Sequence, residues 1–444
     1  MTFMRKAAMA AMMGCGFILS LGCGDAYRPI ATPITNPAGD PANVNYAAVA
    51  NNNPYIAPGA FRPNKSSVSL IDVSGDTNLG NVRMGVGVTR LYFVGLSNTV
   101  AVADTGEDAV SFTSFASLGT TQEVATASLR AGSYPIALAP MPASYSKTYS
   151  VNANPNSDCP ASGSIGAIDL SAYVFLQDAC VGPAPVYAVI NSDQLKVWVL
   201  DASGVVYLVN TLSMTLKNPV PIAVGNNPVM ALLSPLDGAY LYVLNQGDAT
   251  ITVIDAKLET VVTTVPTGGS GPTHMALDRN LNRLWVVNTA SNSVSVFDIS
   301  NPAAPVPWRA KPPVTVGSTP TSIGILPDGS KAYVANYGSN TVSVIDGNAL
   351  TVSSIAVGAN PALTTHVNWV AVSSDGSRVY ATTVMTDDTK NGTSIIHSGT
   401  GMVVATIPAP LQCNPDLGEN CTCIPSAQVC PLQRPVFVAA RGVF

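Results

Sequence analysis

Ala332-Tyr333-Val334-Ala335-Asn336-Tyr337-Gly338-Ser339-Asn340-Thr341-Val342-Ser343-Val344-Ile345-Asp346 decides the fold of this 444-residue chain, because its parts recur along nearly the whole length. An aromatic, two small apolar residues and an Asn or Asp return at Tyr242 to Asn245, Trp285 to Asn288 and Trp198 to Asp201. Weaker copies lie at Tyr149 to Asn152, Ala101 to Asp104 and Ala48 to Asn51, and a degenerate one at Tyr380 to Thr383. The last positions are 51, 104, 152, 201, 245, 288, 336 and 383, so successive copies stand 43 to 53 residues apart. Within the unit from Thr319 to Val357, Pro327-Asp328-Gly329, Tyr337 to Asn340 and Gly347-Asn348 are turns that separate four short strands. Proline presets φ and glycine accepts positive φ, which gives such clusters a mechanism. Four strands per period of roughly 40–50 residues is the signature of an all-β chain folded as a single β-propeller.

The aromatic of the second strand is suited to packing between neighbouring blades, and the Asn or Asp after it to bonding the following turn. The third-strand endings Leu70-Ile71-Asp72, Ala167-Ile168-Asp169, Val253-Ile254-Asp255 and Val296-Phe297-Asp298 put one acid per blade at one position, which reads as a turn device rather than a site. The stretch from Ala332 to Asp346 resembles the YVTN-type β-propeller repeat of bacterial and archaeal surface proteins. The resemblance extends over residues 46–444 and is closest around Tyr242, Trp285 and Tyr333. It implies a propeller and no single shared chemistry.

Eight motifs over residues 46–410 give about 46 residues per blade, so the expected count is eight, with seven as the alternative. The first repeat lacks a first strand: Asn45 to Ala50 reads as a second, Ser67 to Asp72 as a third and Asn81 to Gly87 as a fourth. Arg434-Pro435-Val436-Phe437-Val438-Ala439-Ala440 resembles Asn227 to Leu233, the first strand of another blade. Residues 434–444 are therefore expected to return, complete blade one and close the ring, which removes two exposed sheet edges.

Residues 1–23 read as a signal peptide: Arg5-Lys6, then an apolar stretch from Ala7 to Leu21 too short to span a bilayer comfortably. Gly22-Cys23 resembles a bacterial lipobox, with Ser20 where Leu is usual; the resemblance implies lipidation of Cys23. Gly14-Cys15 is a rival site, and a plain secretory signal the other reading. Residues 24–45 read as a flexible tether. The expected location is the cell envelope, lipid-anchored. Of eight cysteines, six remain beyond Cys15 and Cys23, and an even number in an exported chain favours disulfides. Cys159 and Cys180 bracket blade three and are paired. Cys413, Cys421, Cys423 and Cys430 lie in an insert, residues 411–433, and allow three pairings. Their spacing fits no zinc pattern and no His is near, so no metal is expected.

Charged residues make up 11% of the chain, under half the globular average of about 25%. The net charge is −5 and no basic run appears, which argues against nucleic acid. Of three histidines, His274 opens a first strand and is a candidate to line the channel; in heme- and quinone-dependent propellers a histidine near this place touches cofactor. His366 reads as lying in a loop before Trp369, and His397 as drift from the third-strand Asp. No nucleophile elbow, phosphate loop, heme attachment motif or calcium loop is present, so neither catalytic residue nor cofactor is assigned. Asp387-Asp388 and Glu107-Asp108 read as solvated turn residues. Three second-to-third-strand loops are long: Asn52 to Ser66, Ala153 to Ser164 and Val384 to Thr393. They make one rim a candidate surface for a protein or glycan partner. The primary expectation is thus a non-enzymatic binding or scaffold protein of the envelope. The alternative is a propeller enzyme using the central channel, either of lactonase type or a quinone- or heme-dependent oxidoreductase subunit.

Overall fold

The computed structural model describes residues 46–53, 65–94, 99–114, 124–139, 146–235, 238–278, 280–358, 365–385, 388, 390–412 and 432–440. Residues 1–45, with Cys23, and the cysteines at 413, 421, 423 and 430 lie outside them, as does most of the loop after Asn52.

Eight antiparallel sheets, each with the strand order of one blade, form the ring. The first strands of blades two to eight are Val88–Phe93, Pro135–Leu138, Pro185–Ile190, Pro228–Leu233, Pro272–Asp278, Pro320–Ile325 and Thr365–Val372. That of blade one is Arg434–Ala440, which pairs antiparallel with Tyr46–Asn52. Each first strand packs against the first strands of both neighbours, so the ring is closed. Eight blades and closure by the C-terminal strand agree with the period. Bounds differ in blade one: the second strand is Tyr46–Asn52 and the fourth is Thr77–Arg83, earlier than Asn81 to Gly87. The Gly75 turn is tight enough for the fourth strand to begin at once. His366 lies within Thr365–Val372, a strand rather than a loop.

The repeated aromatics are buried where blades meet. Trp285 packs with Ile323, Val334 and Ile345 of blade seven, and Tyr333 with Val367, Val370 and Val379 of blade eight. The Tyr333 hydroxyl donates to the Ser398 carbonyl 3.1 Å away in that next blade. The repeated Asn does not bond the following turn. Asn336 Nδ2 donates instead to Thr341 Oγ1 and Ser343 Oγ of its own third strand, at 3.1 and 3.0 Å. Asn245 treats Thr250 and Thr252 alike. The strand keeps the Asn buried, so its amide reaches across the sheet. The third-strand acids do bond their turns: Asp255 accepts the Lys257 and Leu258 N–H groups, and Asp346 those of Asn348 and Ala349. These bonds hold the Asp346 carboxyl below the usual range. His397 substitutes in kind, its Nδ1 accepting the Thr400 N–H at 3.2 Å.

Asp388 is not a solvated turn residue. It is buried, takes an ion pair from Arg434 of the closing strand at 2.8 Å, and accepts from Asn391. Ring closure brings the cation to it, a pairing 46 residues apart in sequence.

In five blades a glycine of the interblade connection lies against the Asn or Asp that ends the second strand. A Cβ on Gly225 would stand 2.6 Å from Asn245 Cγ, and Gly269 and Gly317 lie likewise against Asn288 and Asn336. Gly225→Ala is therefore expected to cost about 1–3 kcal/mol of stability through overpacking. Equilibrium denaturation tests this; a variant as stable as the parent would show that the connection has room to shift.

Candidate functional site

Seven first strands carry a register shift one to three residues in, and in blade one the matching shift falls opposite the closing strand. A bulge adds an unpaired residue, raises local twist and re-aims side chains. Here it does so at one level of all eight blades. Beyond the shift stand Leu91, Ala137, Tyr187, Met230, His274, Ser322, Trp369 and Phe437; in blade two the shift is wider and takes in Arg90.

Side chains at this level meet across the axis. His274 of blade six lies edge-on to Trp369 of blade eight, ring centres 4.9 Å apart, with blade seven between them in the ring. Trp369 packs on Phe437 at 4.6 Å, and Phe437 faces Tyr92 of blade two at 6.0 Å. The Arg90 guanidinium sits 5.2 Å from the Trp369 ring centre and 5.5 Å from that of Phe437. Arg90 and Tyr187 of blade four both hydrogen-bond the Tyr92 oxygen. Contacts that skip a blade are open only to residues near the axis. His274, which the sequence offered as a channel candidate, thus meets Trp369 near the axis, in one cluster with Arg90, Tyr92, Tyr187 and Phe437, which the sequence reading did not single out.

The electrostatics follow from enclosure. Burial, and secondarily the charge of Arg90, push the His274 imidazole down to about 3. Its Nδ1 receives the Ile323 N–H at 3.4 Å, a contact that leaves the proton of the neutral ring on Nε2. His274 is therefore a neutral hydrogen-bond donor at ordinary pH. Burial also raises Tyr92 and Tyr187, so both remain phenols. Three formally charged residues stand on the eight first strands: Arg90, Asp278 and Arg434. Asp278 pairs with Arg283 and Arg434 with Asp388; Arg90 has no carboxylate against it among the described residues.

Between about pH 6.5 and 3 the unfolded chain takes up a proton at His274 that the folded protein refuses, so the site's effect is to lower stability as pH falls through that window. An imidazole signal of His274 that stays neutral down to about pH 3–4 by nuclear magnetic resonance is expected. Titration near 6.5 would mean that the ring is open to water.

The other histidines and the rim stand apart from this cluster. His366 Nδ1 lies 2.7 Å from the Tyr337 carbonyl, with its ring stacked on Tyr337 at 4.5 Å. On the rim, Cys159 and Cys180 are bonded, and Asn156 ties the loop from Ala153 to Ser164 to Ser133, Ser164 and Asp178. Closure sets blades one and eight side by side, and Asn53 Nδ2 donates to the Gln412 carbonyl at 2.6 Å there.

A family model described as "Lactonase, 7-bladed beta-propeller" matches residues 191–306, from the second strand of blade four into blade six. No curated protein matches the chain. Among solved structures, the dihydro-heme d1 dehydrogenase NirN in complex with DHE is similar at a TM-score of 0.62 and 15% identity, over 84% of this chain and 76% of that one. Kuenenia stuttgartiensis hydrazine synthase gives a TM-score of 0.48 and 17% identity, over 71% of this chain and 97% of that one. The first of these likenesses is one of fold.

Proposed function

We propose that the protein is an exported, envelope-tethered propeller enzyme acting on a small molecule at the centre of its ring, and that opening of a lactone by water is the reaction its side chains suit best. The observation that carries this reading is the meeting of His274, Tyr92, Tyr187 and Arg90 across the axis. The match of residues 191–306 to a lactonase family supports it. A scaffold, the primary expectation from sequence, has no use for polar donors gathered at the axis.

The proposed roles follow from protonation. Tyr92 accepts from Arg90 and Tyr187, so its own proton is free for a carbonyl oxygen. His274 Nε2–H is a second donor. Aimed at the charge that develops on that oxygen, such groups stabilise the tetrahedral intermediate. Hydroxide adds to the carbonyl carbon, the ring C–O bond breaks, and the alkoxide takes a proton from solvent water, which gives a hydroxy carboxylate and restores the hydroxide. Of the first-strand groups, the one carboxylate, Asp278, is held by Arg283, so no general base acts on the water. The donors polarise the carbonyl and hydroxide attacks from solvent. Cys23 would hold the enzyme at the membrane, and the rim of blades one and eight would remain free for a protein or glycan partner.

The test is hydrolysis of a panel of simple and aryl lactones by the purified protein. The expected rate rises in proportion to hydroxide through neutral pH, without a limb from histidine. Tyr92→Phe is expected to lower kcat by about 10²–10³-fold, as for loss of one oxyanion donor. No turnover by the parent protein, or full turnover by the Tyr92→Phe, His274→Ala double variant, would end this reading.

A further inference from the structure

We infer that the axial cluster binds a small organic monocarboxylate borne on a flat, unsaturated ring, with the Arg90 guanidinium as its anchor. The inference rests on the channel site proposed above and names the chemical class that the site would take.

Arg90 has no anionic partner among the described residues. An arginine is charged at every relevant pH and carries five N–H donors in a planar fork. A cation held partly out of water gains from an anion beside it, and the other two charged residues of the first strands are paired. Asp278 has Arg283, and Arg434 has Asp388. Arg90 has the faces of Trp369 and Phe437 and the oxygen of Tyr92. Aromatic faces attract a cation weakly and take up none of its N–H donors. Arg90 is half-buried, so its fork keeps N–H donors open to the channel, of a kind that a carboxylate fills two at a time. A single guanidinium with a neutral histidine beside it suits one negative charge rather than a phosphate dianion. The walls select the rest of the ligand. Tyr92, Trp369 and Phe437 form a run of contacting rings, and a flat unsaturated ring stacks on such surfaces better than a flexible chain. The donors of Tyr92 and His274 then lie beside the anchor, where a second polar group of the ligand would sit.

Calorimetric titration of the purified protein with benzoate and with benzamide tests this without any variant. The two share a ring and differ in charge. Benzoate is expected to bind about tenfold or more tightly than benzamide. Arg90→Met should abolish that preference, and Arg90→Lys should retain part of it, which separates loss of the anchor from loss of fold. Equal binding of the two probes, binding of neither, or an Arg90→Met protein with undiminished benzoate affinity would each overturn the inference. The reading as a lactone hydrolase fails separately. Benzoate binding through Arg90 without turnover of any lactone would leave the anion site standing and remove the reaction. Turnover of a lactone by a protein that binds no benzoate would do the reverse.

Discussion

Removing residues 434–444 is expected to open the ring and abolish cooperative folding. The strand Arg434–Ala440 is the inner strand of blade one and pairs with residues from Ala47 to Asn52. It contributes Phe437, Val438 and Ala440 to the core, and Phe437 packs among Val88, Leu91 and Phe93 of blade two. Loss of a buried phenylalanine alone costs about 3–5 kcal/mol. Deletion also leaves the edge of Tyr46–Asn52 unpaired at the axis and strips Asp388 of its cation. The sum reaches the whole stability of an ordinary domain, about 5–15 kcal/mol. Thermal unfolding followed by circular dichroism should show a broad, early transition and concentration-dependent aggregation. A truncated protein that melts like the parent would mean that the ring holds without its closing strand.

Arg283→Met should be the most damaging single substitution. Arg283 is fully buried between blades six and seven, and its partner Asp278 is 1% exposed. Its Nε donates to Asp278 at 2.9 Å, and its terminal nitrogens donate to Asp278 and to the carbonyls of Gly329 and Gly347. The guanidinium also lies 5.2 Å from the ring centres of both Trp285 and Trp308. One side chain thus joins the first-to-second and third-to-fourth turns of blade seven to the base of blade six. Met fills part of the volume but leaves Asp278 without its cation and two carbonyls without donors. Breaking a buried pair from one side costs about 3–5 kcal/mol. The double variant Arg283→Met, Asp278→Leu should recover much of that loss. If it does not, the carbonyl bonds rather than the ion pair hold the turn.

Architecture was legible in the sequence because it is encoded locally. Each blade repeats its own turn chemistry, and Asp72, Asp169, Asp255, Asp298 and Asp346 mark third-strand ends without reference to any distant residue. The closing strand was legible because Pro435 to Ala440 copies the pattern of Pro228 to Leu233. The centre was not. Arg90, His274 and Trp369 belong to different blades, and what unites them is ring closure and a bulge at one level. A bulge leaves no residue-type signature here, since the positions beyond it range from Ala137 to Trp369. Asp388 was misread for a related reason: in sequence it neighbours other polar residues, whereas in space it neighbours Arg434.

The pairing of Ala47 with Ala440 also fixes a timetable. At synthesis rates of about 5–20 residues per second, the interval between the emergence of those two residues is on the order of 20–80 s. Throughout that interval the inner edge of the first blade has no partner, and seven later blades can stack before the circle is sealed. A chain that crosses a membrane unfolded meets the same delay on the far side. The chain therefore ends that period with nearly all of its sheets formed, and a chaperone or protease would encounter an almost finished ring with one open seam.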